Sequence, residues 1–209
     1  MGKNNCDIDW FKYENECDEQ GYSVICGVDE AGRGPLAGPV FAAAVILEKG
    51  NVIEGVNDSK KLSEKKREAL YDVITQSAVS WSVAFASEKE IDELNILQAT
   101  FLAMQRAVQG LKIKPEVALV DGNRLPKLEI PAKAIVKGDG LSESIACASI
   151  LAKVSRDRVM YDIDKKYPQY CFSKHKGYGT KVHIEMIKKY GVSPVHRMSF
   201  LKKILTENE

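Results

Sequence analysis

The chain has 209 residues, 44% hydrophobic and 28% charged, with a formal net charge of +1. That is enough for one large domain, or one domain with a small appendage, and gives no compositional case for disorder. The longest apolar run, near Val40 to Leu47, falls far short of the roughly 20 residues of a membrane span, and the acidic start lacks a signal peptide's regions, so a soluble cytoplasmic protein is expected.

Residues 1–20 are polar and acidic with Trp10, Phe11 and Tyr13 as anchors, which predicts a mobile start and a short helix. Val24, Ile25 and Val28 then form one strand, and Gly38-Pro39 precedes a second, Val40 to Leu47. Asp29 and Glu30 sit where the first strand is expected to end. Neighbouring strand side chains point to opposite faces, so the two acids share one site only if the strand ends or bulges between them. Gly32 and Gly34 permit positive φ and close approach of a ligand, Pro35 stiffens the turn and Arg33 supplies a cation, a combination suited to phosphate. Taken alone, Asp29 is equally compatible with capping a tight turn.

Val52-Ile53 suggests a brief extended piece before the polar loop Asn57 to Leu62. Lys60 and Lys61 there are ordinary loop lysines or phosphate contacts. Ser63 is the expected N-cap of a helix to about Gln76. Trp81, Val83 and Phe85 alternate with small residues as in a half-buried strand, and Ser87 with Glu90 forms a capping box. Asn95 starts a longer helix whose stripe of Ile96, Leu97, Phe101, Leu102, Met104 and Val108 reads as core packing up to Gly110.

Val117 to Val120 is a wholly apolar run that delivers Asp121 into Gly122-Asn123, and Ala134 to Val136 is followed by Lys137-Gly138-Asp139-Gly140. Three apolar strands are thus expected to end in acids. Ser142 to about Lys166 reads as a long helix packed through small residues, with Arg156, Asp157 and Arg158 as a surface ion-pair cluster and Asp157 a minor catalytic candidate. Pro168 to Gly179 lacks periodicity. Its basic loop, Lys174 to Thr180, carries Tyr178 between two glycines, either packing locally or stacking on a base or sugar beside the cations. Thr180 caps a helix to Tyr190, and Ser193-Pro194 is expected to open a final helix to Leu205.

Residues 165–203 hold ten Lys or Arg against Glu185 alone, a basic third able to attract a polyanion. Five cysteines (Cys6, Cys17, Cys26, Cys147, Cys171) with no C-x-x-C pair argue for reduced thiols, Cys26 and Cys147 being small core residues.

The pattern predicts an α/β fold, a mixed central sheet flanked by helices with a small C-terminal helical appendage. The expected parts are a lead at 1–20, a catalytic domain at 21–166 and a basic loop with helices at 167–209. Asp29, Glu30, Asp121 and Asp139 are hard oxygen donors that a sheet can gather. Clustered carboxylates repel unless a cation lies between them, and Mg2+ or Mn2+, as a pair, would support phosphodiester hydrolysis.

DEAGRGPLAGPV, NDSKKLSEKKREAL, EIDELNILQATFLAMQRAV, VDGNRLPKL, VKGD, ASILAKVSRDR and HKGYGT, from about Gly21 to Phe200, resemble the bacterial ribonuclease HII family. The resemblance implies a ribonuclease H fold and a divalent-metal endonuclease. Such an enzyme cuts RNA in RNA–DNA hybrids and nicks 5′ of single ribonucleotides in duplex DNA, leaving 3′-hydroxyl and 5′-phosphate ends. It implies that Asp29, Glu30, Asp121 and Asp139 bind metal, with the Glu30 carbonyl as a further donor. Gly32, Arg33 and Gly34 would read the 2′-hydroxyl and Tyr178 would lie against the adjacent sugar, with Lys60 and Lys176 as further substrate contacts. The short lead argues against the ribonuclease HIII type. A tail without an apolar-aromatic motif leaves sliding-clamp binding unsupported, and the chain is expected to be a monomer. The competing classes are a binding module that does not cut and a general metal-dependent nuclease.

Overall fold

The computed structural model describes residues 9–206. Its centre is a five-stranded sheet of β1 (Ile25–Ala31), β2 (Val40–Ile46), β3 (Ser80–Ala86), β4 (Val117–Asp121) and β5 (Ala132–Ile135), in the spatial order β3-β2-β1-β4-β5. The first three strands form an antiparallel meander, whereas β4 and β5 run parallel to β1. The early hairpin and the later crossover are as the sequence predicts, and the sheet is mixed for that reason.

Helices cover both faces. On one, Cys26, Val28, Ala42, Ala44, Ala118 and Val120 pack against α3 (Glu88–Leu94) and α4 (Ile96–Gln109). On the other, Ala43 and Val45 meet α5 (Glu143–Lys166), which also packs on α2 (Glu64–Ser77). β2 is buried at all seven positions, as an interior strand covered on both faces must be. The buried face of α4 consists of Ala99, Thr100, Ala103, Met104 and Ala107, so of the predicted stripe only Met104 lies fully inside. The small side chains bring the helix close, and the bulky ones lie half-buried at its flanks.

The short lead helix, α1 (Lys12–Glu19), is tied down. Glu14 Oε1 accepts from both Ser142 Oγ and Ser144 Oγ, and the Glu143 N–H donates to the Trp10 carbonyl. The mobile start expected there therefore does not extend to residues 9–19; residues 1–8, with Cys6, lie outside the described part. Cys17, Cys26 and Cys147 are buried free thiols, and burial pushes the Cys26 thiol up to about 12, consistent with core packing.

At the other end α6 (Phe172–His175), α7 (Lys181–Tyr190) and α8 (Met198–Thr206) close over the second half of α5 with a small core of Met160, Tyr170, Phe172, Ile187 and Leu201. The final helix begins at Met198, not at Ser193-Pro194. Residues 193–197 serve instead as a strap: Ala37 and His196 form an isolated bridge, and the Gly38 N–H donates to the Val195 carbonyl. Val52-Ile53 forms no strand; the Ile53 N–H is taken by Glu143 Oε1. No described helix is long and apolar enough to cross a membrane.

One glycine sets how closely α5 approaches the acidic strand. A Cβ at Gly27 would lie 2.2 Å from the Ser144 carbonyl carbon and 2.3 Å from the Ile145 nitrogen. Because both are helix backbone, Gly27→Ala must push α5 off β1, and we expect a loss of about 3 kcal/mol in urea unfolding. An unchanged midpoint would contradict the close packing.

Candidate active site

β1 is paired with β4 as far as Val28 and with β2 as far as Ala31, so the β2 ladder holds its C-terminal end in place. That end carries Asp29, 3% exposed, and half-buried Glu30. The strand neither ends nor bulges between them, because its ladder with β2 continues to Ala31↔Phe41. Alternation therefore holds. Gly27 and Asp29 face α5, and Glu30 faces the α4 side with Val28, so the two acids approach the sheet end from opposite faces. The parallel register Val28↔Val120 sets Asp121, the last residue of β4, beside Asp29.

Asp139 does not end a strand as expected. β5 stops at Ile135, the left-handed Lys137 (φ 60°) turns the chain, and Asp139 rides on the single 3-10 turn Gly138–Gly140. That turn is fastened to β4, because the Gly138 N–H donates to Asp121 Oδ1 at 2.7 Å. Lys60 reaches over from its loop to within 3.7 Å of Asp139 Oδ2. Asp58 on the same loop also acts on Asp139, an acid that sequence reasoning passed over because it reads as an ordinary turn residue.

The electrostatics are those of an acid cluster short of cations. Burial, then the charges of Glu30 and Asp121, hold the Asp29 carboxyl well above the usual range, although the Glu30 N–H donates to its Oδ1 at 2.6 Å. Glu30 is raised by burial, against the pull of Arg33, whose guanidinium lies 3.4 Å away. Asp139 is raised by burial, then by Asp121 and Asp58. Among the described residues no three acid, histidine or cysteine groups stand close enough for a ready-made metal cage. The donor set is nevertheless all hard oxygen with unrelieved negative charge, which fits a divalent cation such as Mg2+ or Mn2+ and not a soft metal.

Beside the acids runs the segment 32–39. Gly32 has φ +96°, Arg33 is half-exposed, and a Cβ at Gly34 would lie 3.5 Å from the Tyr178 ring. Glu30, Gly32, Arg33, Gly34, Lys60 and Tyr178 thus border one pocket of about 180 Å3. Of the predicted contacts, Lys176 alone is drawn elsewhere: its ammonium donates to the Ser173 carbonyl and lies 4.0 Å from the Tyr161 ring centre.

Arg156 and Asp157 are not a surface cluster. Both are buried, Asp157 being paired with Lys153 and Arg67 and Arg156 bonded to main-chain carbonyls; only Arg158 makes an outer pair, with Glu68. The C-terminal helices cover this part of α5, which helical periodicity cannot foresee.

The chain's three histidines stack beneath Tyr178. His183 Nδ1 donates to the Tyr178 carbonyl (2.9 Å), leaving its Nε2 to accept from His196 Nε2 (3.1 Å), whose Nδ1 accepts from the Ser193 N–H (2.9 Å). Neutral rings satisfy every partner, and a second proton on either ring would set two N–H groups against each other.

A mixed sheet between two helical layers, with acids gathered at one end of its central strands, defines a ribonuclease H-like hydrolase. The family model described as Ribonuclease HII matches residues 26–203. The chain is 58% identical to ribonuclease HII of Caldicellulosiruptor bescii over 96% of its own length and 97% of the relative's. It is 61% identical to that of Dechloromonas aromatica over 85% and 90%. Among solved structures, ribonuclease H2 of Pyrococcus horikoshii superposes with a TM-score of 0.74 at 30% identity, covering 88% of this chain and 98% of that one. The chain belongs to the ribonuclease HII family.

Burial pulls His183 and His196 down to about 4 from an ordinary 6.5. Since the folded values lie below the unfolded one, the unfolded chain binds more protons between these limits, and the cluster's contribution to stability is lost as pH falls through that window. Ring nitrogen shifts in NMR should show both histidines neutral at about pH 5.5; titration near 6.5 would refute the neutral relay.

Proposed function

We propose that this ribonuclease hydrolyses the RNA strand of RNA–DNA hybrids and also nicks duplex DNA on the 5′ side of a single embedded ribonucleotide. The observation that carries this reading is the adjacency of two things: an under-neutralised carboxylate cluster and a glycine-lined wall built from Gly32, Arg33, Gly34 and Tyr178. The first suits phosphodiester hydrolysis, and the second suits recognition of a sugar.

Asp29, Glu30, Asp121 and Asp139 would hold divalent cations, Mg2+ or Mn2+, as a pair. The chemistry supplied by the bound cations is activation of a water and stabilisation of the leaving oxygen. Cleavage of the P–O3′ bond leaves a 3′-hydroxyl upstream and a 5′-phosphate on the ribonucleotide. The protein's own groups orient the strand. Among the described residues the Arg33 side chain makes only a long contact, to Glu30, and can turn to a phosphate, and Lys60 can exchange Asp139 for one. The backbone of Gly32 to Gly34 comes close enough to meet the 2′-hydroxyl, the group that separates RNA from DNA. The exposed Tyr178 ring packs on the neighbouring sugar. The basic C-terminal third attracts the duplex, and a monomer suffices for every step.

The test uses a labelled DNA duplex with one ribonucleotide, beside an all-DNA control, in Mg2+ or Mn2+. A cation-dependent nick 5′ of the ribonucleotide, absent from the control, is the expected result; equal cutting of both would mean a general nuclease, and binding without cutting would mean a non-catalytic module. Tyr178→Ala should lower single-ribonucleotide cutting about tenfold more than cutting of a long hybrid, the size of one lost stacking contact. Equal losses on both substrates would remove its role at the junction.

A further inference from the structure

Two guanidinium groups lie behind the segment 32–39 and are unused by the chemistry above. Arg156, on α5, and Arg197, just before α8, are 1% and 0% exposed. Neither meets a carboxylate at ion-pair distance among the described residues; Glu88 and Asp157 act on Arg156, and Glu88 and Asp92 on Arg197, only at longer range. Their donors go to backbone instead. Arg156 donates to the carbonyls of Pro39 (3.0 Å), Ala37 (3.1 Å) and Lys176 (3.0 Å). Arg197 donates to those of Gly38 (2.8 Å), Arg33 (3.0 Å) and Gly32 (2.7 Å).

A trans peptide points its C=O and the following N–H in opposite directions. Pinning the Gly32 and Arg33 carbonyls inward on Arg197 therefore turns the Arg33 and Gly34 amides outward, towards the pocket. Among the described residues those two amides have no acceptor in the protein, whereas the Leu36 and Gly38 amides are tied back to Gly177 and Val195. The fit is tight: a Cβ at Gly32 would lie 2.0 Å from Arg156 Nε, so Arg156 adds a steric demand for glycine to the one already set by the φ of +96°. Through Lys176 the same arginine fixes the turn that carries Tyr178, so both walls of the pocket are set from one anchor.

We propose that Arg156 and Arg197 are positioning residues for ribose recognition, clamping the backbone so that the Arg33 and Gly34 amides face the 2′-hydroxyl. The inference rests on reading Gly32–Arg33–Gly34 as the ribose contact. Arginine is required because its planar fork spans several carbonyls, which a lysine ammonium cannot do. A carboxylate partner would occupy those donors and set negative charge under a surface that receives phosphate; two unpaired cations do the reverse. Burial and the neighbouring Arg156 lower Arg197 to about 9, the mark of charges kept inside without a counter-ion.

The experiment measures dissociation constants of the full chain for a duplex containing one ribonucleotide and for the matching all-DNA duplex, without divalent cation. The wild type should prefer the ribonucleotide duplex about tenfold, the worth of one good hydrogen bond. Arg197→Lys and Arg156→Lys should reduce that preference to about threefold or less while changing all-DNA binding less than about twofold, and Arg158→Lys should keep it. A role in stability alone would weaken both duplexes together. Lysine variants that fold and keep the preference overturn the clamp and leave the ribose reading standing; a wild type without preference overturns both. A second measurement, on the unaltered chain, decides if the variants fail to fold. Hydrogen exchange at the Arg33 and Gly34 amides should slow on binding the ribonucleotide duplex and not the all-DNA one, and unchanged exchange overturns the proposal.

Discussion

The structure turns on an electrostatic conflict at the end of its two central strands. Asp29 is almost wholly buried, with Glu30 next in sequence and Asp121 beside it on β4. Two like charges near 5 Å in a medium of effective dielectric 20 oppose each other by roughly 3 kcal/mol. A flexible segment would splay them apart. Here β1 is hydrogen-bonded on both sides, α5 is seated on Gly27, and the Asp139 turn is tied to Asp121, so the repulsion is held in place. An arrangement of this kind would become favourable with a cation between the carboxylates, and the rigid sheet keeps them from dispersing.

The loop next to the acids poses the opposite problem. Segment 32–39 must be open to a ligand yet fixed in shape, and it gains its rigidity from behind: from two buried arginines, the 193–197 strap and the Tyr178 turn resting on neutral histidines. The C-terminal helices are thus less a separate appendage than the backing of the pocket. Part of the basic charge in residues 165–203 is drawn away from the surface, Arg197 being buried and the half-buried Lys176 lying over Tyr161, which leaves a smaller positive surface than the count of lysines and arginines suggests.

Much of this was legible in the sequence. Apolar runs that halt at Asp29 and Asp121 locate the strands and their acids, and Ser63, Ser87 with Glu90, Asn95 and Thr180 mark helix starts that the structure reproduces. Local signals of this sort survive folding because they depend on near neighbours. Arg156 and Asp157 depart from the surface cluster for the converse reason: an i, i+1, i+2 run of charges on a helix looks solvated, and only contacts distant in sequence bury two of the three, segment 37–39 and Lys176 around Arg156 and Arg67 of α2 beside Asp157. The same holds for Ser193-Pro194, a good local start for a helix that the chain uses as a strap because Ser193 is engaged with His196. Asp139 sits on a 3-10 turn and not at the strand end that its sequence suggests, since the left-handed turn at Lys137 leaves no mark in hydrophobic periodicity.

Held together against their own repulsion, the acids would be relieved by a divalent cation that joins them. Thermal unfolding of Asp29→Asn beside the wild type, in chelator and then in Mg2+, measures this, because asparagine keeps an oxygen acceptor for the Glu30 amide while it removes the negative charge. The account predicts that the variant melts about 3 °C or more above the wild type in chelator, that Mg2+ raises the wild type more than the variant, and that the variant does not cleave. A variant that melts below the wild type in chelator, or that gains as much from Mg2+, would contradict it.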